Sequence, residues 1–290
     1  MKHIILLAAM SLVVCSVSAQ TDTTAAATDS VPPAKNTFTV GTSYANTANY
    51  YGQKTAEPLP YIAVAATYKL KGGLYFSGLA YRLFKDTANT VSAGSVGIGY
   101  AFNLSKRWSA DISYNHSFYP KYSPFLQASN PDNASATLAY DNWLNTKLTI
   151  DYAFGNTNDG FATLGTGKEI RLGSFSTKDL ITFSPSVDVV AGTQHFYQTY
   201  LTEKHIRDSI VAAVLGPIFG QPSGGNTSTS KTVVTTEFAV LSYNLKCPLA
   251  YNRTHYMLEL AYQLSVLSNK AQSNPGKANS FFSASFYYQF

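Results

Sequence analysis

Isolated charged residues recur where polar and apolar residues alternate along the chain. They are Lys69, Arg82, Asp111, Lys147, Asp151, Asp188, Glu237 and Glu259. Alternate residues of a strand share one face. On an enclosed face such groups can form ion pairs, line a path for a polar solute, or supply two carboxyls for acid–base catalysis. Both signs occur, which favours internal ion pairing, because a selective channel usually presents rings of one sign.

Three histidines and a neighbouring serine are the candidates for a catalytic centre. His116, His195 and His205 fall near one predicted edge, and Ser117 adjoins His116. A Ser–His pair can activate a hydroxyl nucleophile, but neighbouring strand residues point to opposite faces. Cys247 is the only cysteine beyond the N-terminal apolar segment, so cysteine metal sites are excluded. We therefore expect no catalytic residues, no metal site and no cofactor.

The elements that would position these groups are strands, because hydrophobicity alternates with a period of two. Ten strands are predicted, at residues 37–44, 59–70, 74–84, 91–102, 108–119, 141–154, 179–200, 232–245, 254–267 and 278–290. The third is expected to face outwards through Tyr75, Ser77, Leu79, Tyr81 and Leu83. Residues 120–140 are expected to form an outer loop, and residues 246–253 a turn at the opposite edge.

Composition separates this chain from ordinary soluble domains. It is 45% hydrophobic and only 13% charged, with 21 Tyr and 17 Phe, against about 25% charged residues in a typical soluble domain. Beyond the N-terminal segment, no apolar run approaches the roughly 18 residues of a membrane helix. The formal charge of +5 is diffuse, so no nucleic-acid partner is expected.

The last predicted strand carries an aromatic stripe on one face, formed by Phe282, Phe286, Tyr288 and Phe290. It resembles the closing strand of Gram-negative outer-membrane β-barrels, whose terminal aromatic residue is an insertion signal for the assembly machinery. The resemblance covers residues 37–290 at the level of the class. It implies location in the cell outer membrane, with outer-membrane lipid and the barrel-assembly machinery as partners.

The fold implied is an all-β, up-and-down antiparallel transmembrane β-barrel of about ten strands, within a range of eight to twelve. Periplasmic turns should be short and extracellular loops longer. Residues 155–177 are interpreted as a periplasmic extension; if they cross the membrane instead, the count becomes twelve. Residues 1–19 are predicted to be a signal peptide, and residues 20–36 a disordered periplasmic leader.

The longest predicted extracellular loop, residues 201–231, contains a helical pattern. Ile206, Ile210, Val214 and Ile218 recur about one turn apart. An apolar stripe outside the membrane must be covered. The barrel mouth, interfacial lipid and a protein partner at the extracellular loops are the three alternatives.

These observations predict a non-enzymatic barrel with an occluded lumen that acts in surface binding, structure or assembly. A narrow pore or transporter for a small solute is the first alternative, and it requires a continuous wet lumen. A hydrolase acting at the outer rim is the second, and it requires histidine and carboxylate groups that converge at the mouth.

Overall fold

The computed structural model describes residues 35–86, 89–120, 123–197, 237–273 and 275–290. The predicted signal peptide, nearly all of the predicted leader and the whole stretch 201–231 lie outside these residues. The strands are β1 (Thr37–Ala45), β2 (Tyr61–Lys69), β3 (Leu74–Leu83), β4 (Ala93–Asn103), β5 (Trp108–Phe118), β6 (Asp132–Asp141), β7 (Asn145–Phe154), β8 (Asp159–Gly167), β9 (Ile170–Gly173), β10 (Asp179–Phe183), β11 (Ser186–Gly192), β12 (Ala239–Arg253), β13 (Tyr256–Leu267) and β14 (Ala278–Gln289).

Twelve of these strands close into an antiparallel barrel. Closure is completed where β1 pairs with β14 and β11 pairs with β12. Strands β9 and β10 pair with each other, and β10 also pairs with the lower part of β12. They extend β8 and β11 past the end of the barrel at which the turns between neighbouring strands are short. We call that end periplasmic and the other extracellular.

The two additional barrel strands are β6 and β8, which correct the predicted loop at 120–140 and the predicted extension at 155–177. Strand β6 pairs with β5 and β7, and β8 pairs with β7 and β11. Both are rich in Ala, Gly, Asp and Asn, which are depleted from strands and so give a weak strand signal. Only β9 and β10 form an extension, and residues 246–253 belong to β12 rather than to a turn.

The outer surface is an apolar band between two aromatic rims. Exposed aromatic residues at the periplasmic rim include Phe38, Tyr68, Phe76, Tyr100, Trp108, Tyr288 and Phe290, and those at the extracellular rim include Tyr44, Phe84, Phe118 and Tyr152. Exposed Val64, Ile98, Ile112, Ile150 and Leu260 lie between them. This is the surface of a barrel embedded in lipid. No helix among the described residues is long and apolar enough to cross a membrane.

Strand β3 faces the opposite way from the prediction. Tyr75, Leu79, Tyr81 and Leu83 are buried in the lumen, whereas Phe76 is exposed on the outside. The inward rings have partners there: Tyr81 contacts Tyr61 edge-on at 5.4 Å, and Phe125 at 5.9 Å. Phe125 belongs to the loop between β5 and β6. An inward-folded loop therefore makes aromatic residues favourable on the inner face of β3. Alternation alone does not show which face of a strand points into the lumen, and the predicted assignment for β3 was reversed.

Candidate functional site

The connection between β1 and β2, residues 46–60, folds into the barrel, and we call it the lumen loop. At its tip Tyr50 and Gln53 exchange two backbone hydrogen bonds, of 2.8 and 2.9 Å. Tyr51 and Gly52 between them have φ values of 53° and 82°. Two consecutive positive φ values define a tight hairpin turn, for which glycine at the second position is well suited.

Polar contacts attach this turn to the barrel wall. The Tyr51 hydroxyl donates to Asp151 Oδ2 at 2.9 Å. The Tyr51 carbonyl accepts from Ser242 Oγ at 2.7 Å, and the Gly52 carbonyl accepts from Asn279 Nδ2 at 2.9 Å. Burial, followed by the nearby Asp151 carboxylate, raises the pKa of Tyr51 well above its usual value. The phenol therefore remains a donor at physiological pH.

An aromatic cluster fixes the turn from a second direction. The Tyr51 ring stacks on Phe161 of β8 with centroids 4.0 Å apart and an angle of 9°. Tyr50 meets Phe196 edge-on at 4.7 Å. All four rings are buried. Such pairs contribute about 0.5–1.5 kcal/mol each beyond their buried area, so the lumen loop occupies a defined position in the extracellular half of the barrel.

Asp159, at the extracellular end of β8, holds the segment that follows β11. Its buried carboxylate accepts from Thr193 Oγ1 at 2.8 Å, from His195 N at 2.7 Å, and from Phe196 N at 3.0 Å. Asn130 Nδ2, from the loop between β5 and β6, donates to it at 3.1 Å. One carboxylate thus joins two inward-folded segments at the mouth.

Replacing Asp159 with Ala is expected to destabilise the barrel. The change leaves several buried donors without an acceptor, each costing about 1–3 kcal/mol. The free energy of unfolding, measured with urea in lipid vesicles, should fall by roughly 3 kcal/mol or more. Asp159→Asn keeps one acceptor oxygen and should lose clearly less. Equal stability of Asp159→Ala and the parent protein would contradict the proposed role of this carboxylate.

Below the lumen loop lies a cavity of about 70 Å³ whose lining includes charged and polar side chains. Its floor and walls come from six strands or loops, including Asn49, Gly52, Thr149, Thr163, Asp188, Asn244, Lys246 and Gln263. Lys246 Nζ forms an ion pair with Asp188 Oδ2. The Asp188 carboxylate lies across Gly165 of β8, where a Cβ atom would collide with Asp188 Oδ1. Glycine at position 165 is thus required for this arrangement.

Six of the eight predicted lumen charges do face inwards: Lys69, Asp111, Lys147, Asp151, Asp188 and Glu259. They belong to five different strands of the barrel. Asp111 accepts from the Tyr75 hydroxyl at 3.0 Å. Asp151 accepts from Ser135 Oγ at 2.7 Å as well as from Tyr51. The two buried carboxylates Asp151 and Asp188 lie closest to the lumen loop.

Two predicted lumen charges lie elsewhere. Arg82 projects from the outer face of β3 and donates to the Asn89 carbonyl, because the phase of β3 is opposite to the prediction. Glu237 precedes β12 and is exposed, 3.4 Å from Lys270 Nζ. Conversely, the prediction missed Lys246 and the Tyr50–Tyr51 pair. Two tyrosines followed by glycine in a predicted outer loop were the available signal for an inward turn.

His116 and His195 contact different carboxylates, Asp132 and Asp159, and His205 lies outside the described residues. His116 Nδ1 lies 2.7 Å from Asp132 Oδ1 on the outer surface, where Tyr114 also donates to Asp132 at 2.6 Å. Ser117, the sequence neighbour of His116, is buried on the lumen side. Within the part of the chain that the structure describes, no group of three or more His, Cys, Asp or Glu could hold a metal ion.

Several solved structures of outer-membrane barrels are similar to this chain. The KdgM porin superposes with a TM-score of 0.48 at 7% identity, over 87% of this chain and 99% of that one. An outer membrane channel from Pseudomonas putida F1 gives 0.46 at 10% identity, over 92% and 100%. The NanC porin gives 0.44 at 10%, over 87% and 98%. No family model and no curated protein matches the sequence.

This chain is an outer-membrane β-barrel. Its closed twelve-stranded wall and lipid-facing band are those of the class. In this outer-membrane barrel Phe282, Phe286, Tyr288 and Phe290 all face outwards and are exposed. The Phe290 backbone N–H donates to the Phe38 carbonyl at 2.9 Å, and its ring lies 5.7 Å from that of Phe38. Phe290 therefore lies at the β1–β14 junction. The predicted contact helix of Ile206, Ile210, Val214 and Ile218 lies outside the described residues.

Proposed function

We propose that this outer-membrane barrel is a narrow channel for small hydrophilic solutes, with the lumen loop as its constriction. The proposal is supported by a difference in side-chain exposure between two levels of the lumen. Below the lumen loop the inward polar groups, among them Lys69, Asp111, Lys147, Lys246 and Glu259, retain partial exposure. At the level of the lumen loop itself, side chains such as Tyr50 and Phe161 are fully buried.

The way in which the lumen is filled supports a constriction rather than a solid core. The lumen loop is attached to the wall by hydrogen bonds and ring contacts, and none of the ion pairs among the described residues involves it. A twelve-stranded barrel is wider than the eight-stranded barrels whose interiors side chains can fill. Narrowing it to the size of a small solute therefore requires an inserted segment, and the lumen loop has that position.

An occluded barrel that acts through its extracellular loops is the second candidate. It is favoured by the complete burial of Tyr50, Phe161, Phe196 and Leu241 in the extracellular half. Contact with a protein partner at the loops belongs to this candidate. Both candidates are non-enzymatic, and this part of the proposal is supported by the opposite directions of His116 and Ser117.

Swelling of proteoliposomes in isotonic solutes of graded size tests the channel proposal. Small polyols and amino acids are expected to enter faster than into protein-free liposomes, and trisaccharides are expected to be excluded. The reason is that the lumen loop, attached to the wall through Tyr51, occupies part of the cross-section of the barrel and narrows the path. Swelling rates equal to those of protein-free liposomes for every solute would favour the occluded barrel.

A further inference from the structure

An ion pair lies in the cavity below the lumen loop, beside a second carboxylate, Asp151, that already accepts hydrogen bonds from the Tyr51 hydroxyl and from Ser135 Oγ. Lys246 and Asp188 form an ion pair whose side chains are 33% and 10% exposed. The pair is therefore accessible from the cavity instead of being sealed in the wall. Asp188 is fixed across Gly165, and Lys246 reaches it from the neighbouring strand β12.

Neutral hydrogen-bonding groups surround this pair. Gln263 Nε2 lies 3.3 Å from Asn244 Oδ1 and 2.8 Å from Ser265 Oγ, and Asn244 Nδ2 donates to Ser242 Oγ at 3.2 Å. Thr149 and Thr163 lie on the opposite side of the cavity. The amides are thus held in place by one another and present polar groups to whatever enters.

The Lys246–Asp188 ion pair disfavours the binding of a single cation or anion. A lone cation or anion that displaced either partner would leave the other charge unpaired in the lumen, which is costly. A solute with an ammonium and a carboxylate compensates both partners, since the ammonium meets Asp188 and the carboxylate meets Lys246. Charged hydrogen bonds of this kind are about twice as strong as neutral ones.

Size restricts the class further. The cavity measures about 70 Å³, and one water occupies roughly 10–15 Å³ on this measure, which gives room for roughly five waters. A solute with about that many non-hydrogen atoms fits, so the smallest α-amino acids meet both the charge and the size requirements.

We infer that the Lys246–Asp188 cavity is a binding site for small zwitterions, with glycine as the simplest member. The inference rests on the proposed function for the route by which the solute arrives, but binding itself can be measured without transport. Glycolamide, an uncharged isomer of glycine, is the matched probe, because it has the same atomic composition and nearly the same size, with a hydroxyl and a carboxamide in place of the two charged groups.

Saturation-transfer NMR on the purified barrel in detergent micelles measures binding of both probes. The dissociation constant of glycine should be at least about tenfold lower than that of glycolamide. In the double variant Lys246→Gln/Asp188→Asn the two constants should become equal. Heat-modifiable migration on gels verifies that this variant is folded.

The outcomes separate this inference from the channel proposal. Equal affinity for glycine and glycolamide in the parent protein, or a preference that survives in the double variant, would overturn the zwitterion site even if the barrel conducts. Preferential glycine binding that is lost in the double variant supports the site, and it does so even if proteoliposomes fail to swell.

Discussion

A barrel without its lumen loop is expected to conduct several-fold more current than the parent protein in planar bilayers. Ala45 and Tyr61 are directly paired at the ends of β1 and β2. An Asn-Gly turn can therefore replace residues 46–60, because this dipeptide favours the tight turn of a two-residue hairpin. The replacement removes Tyr50, Tyr51 and Gln53 from the lumen while leaving the wall paired.

Controls distinguish the constriction from general loosening. Tyr51→Phe keeps the ring stacked on Phe161 and loses only the hydrogen bond to Asp151, so its conductance should stay close to that of the parent. Heat-modifiable migration shows that each variant is folded. A loop-replaced barrel whose conductance equals that of the parent protein would mean that the lumen loop does not limit passage.

Removal of Phe290 is expected to deplete the protein from outer-membrane fractions. Its N–H donates to the Phe38 carbonyl, and its ring contacts Phe38 and Tyr288, at 5.7 and 4.7 Å. Deletion therefore weakens the junction between β1 and β14, besides removing the predicted insertion signal. Quantitative immunoblots of membrane fractions measure the effect, and a polar tail after Phe290 should act similarly.

Phe175 provides the matched control for Phe290. It is also a strongly exposed phenylalanine, at 83% against 70%, but it lies in the turn between β9 and β10. Phe175→Ala should leave the membrane yield unchanged. Normal yield and normal heat-modifiable migration after deletion of Phe290 would show that this residue contributes only local packing.

The aromatic stripe of the last strand predicted the barrel, and alternation of polar and apolar residues predicted most of its wall. Strand β4 illustrates this: Val96, Ile98 and Tyr100 are exposed outside, with small residues between them inside. Strands β6 and β8 were missed because more than half of each consists of Ala, Gly, Asp and Asn, which are depleted from strands. Hydrogen-bond ladders to a neighbouring strand on each side stabilise their strand conformation. The sequence of one strand does not show which strands will lie beside it.

The candidate site was only partly predictable, because its key contacts join distant parts of the chain. Asp151 and Asp188 could be placed in the lumen from their own strands. Their partners could not: Tyr51 lies 100 residues before Asp151, in what looked like an outer loop. Lys246 fell in a predicted turn because the strand was expected at residues 232–245, whereas β12 runs from Ala239 to Arg253.

The ion pairs in the lumen differ from those that the sequence predicted. Arg82, one of the cations expected to pair in the lumen, faces outwards. Lys246 pairs with Asp188 in its place. The extracellular half is filled mainly by rings from the lumen loop, β8 and the segment after β11. Hydrophobic and aromatic packing, not charge pairing, therefore narrows the lumen.

Single-channel recording with a cysteine placed in the cavity tests the central claim most directly. Thr163 of β8 lines the cavity, and Thr166 of the same strand faces outwards. In a Cys247→Ser background, a membrane-impermeant thiol reagent should reduce the current stepwise and irreversibly with Thr163→Cys. With Thr166→Cys the current should persist. If the labelled Thr163→Cys barrel conducts as before, or if the barrel carries no current before labelling, solutes do not pass beneath the lumen loop.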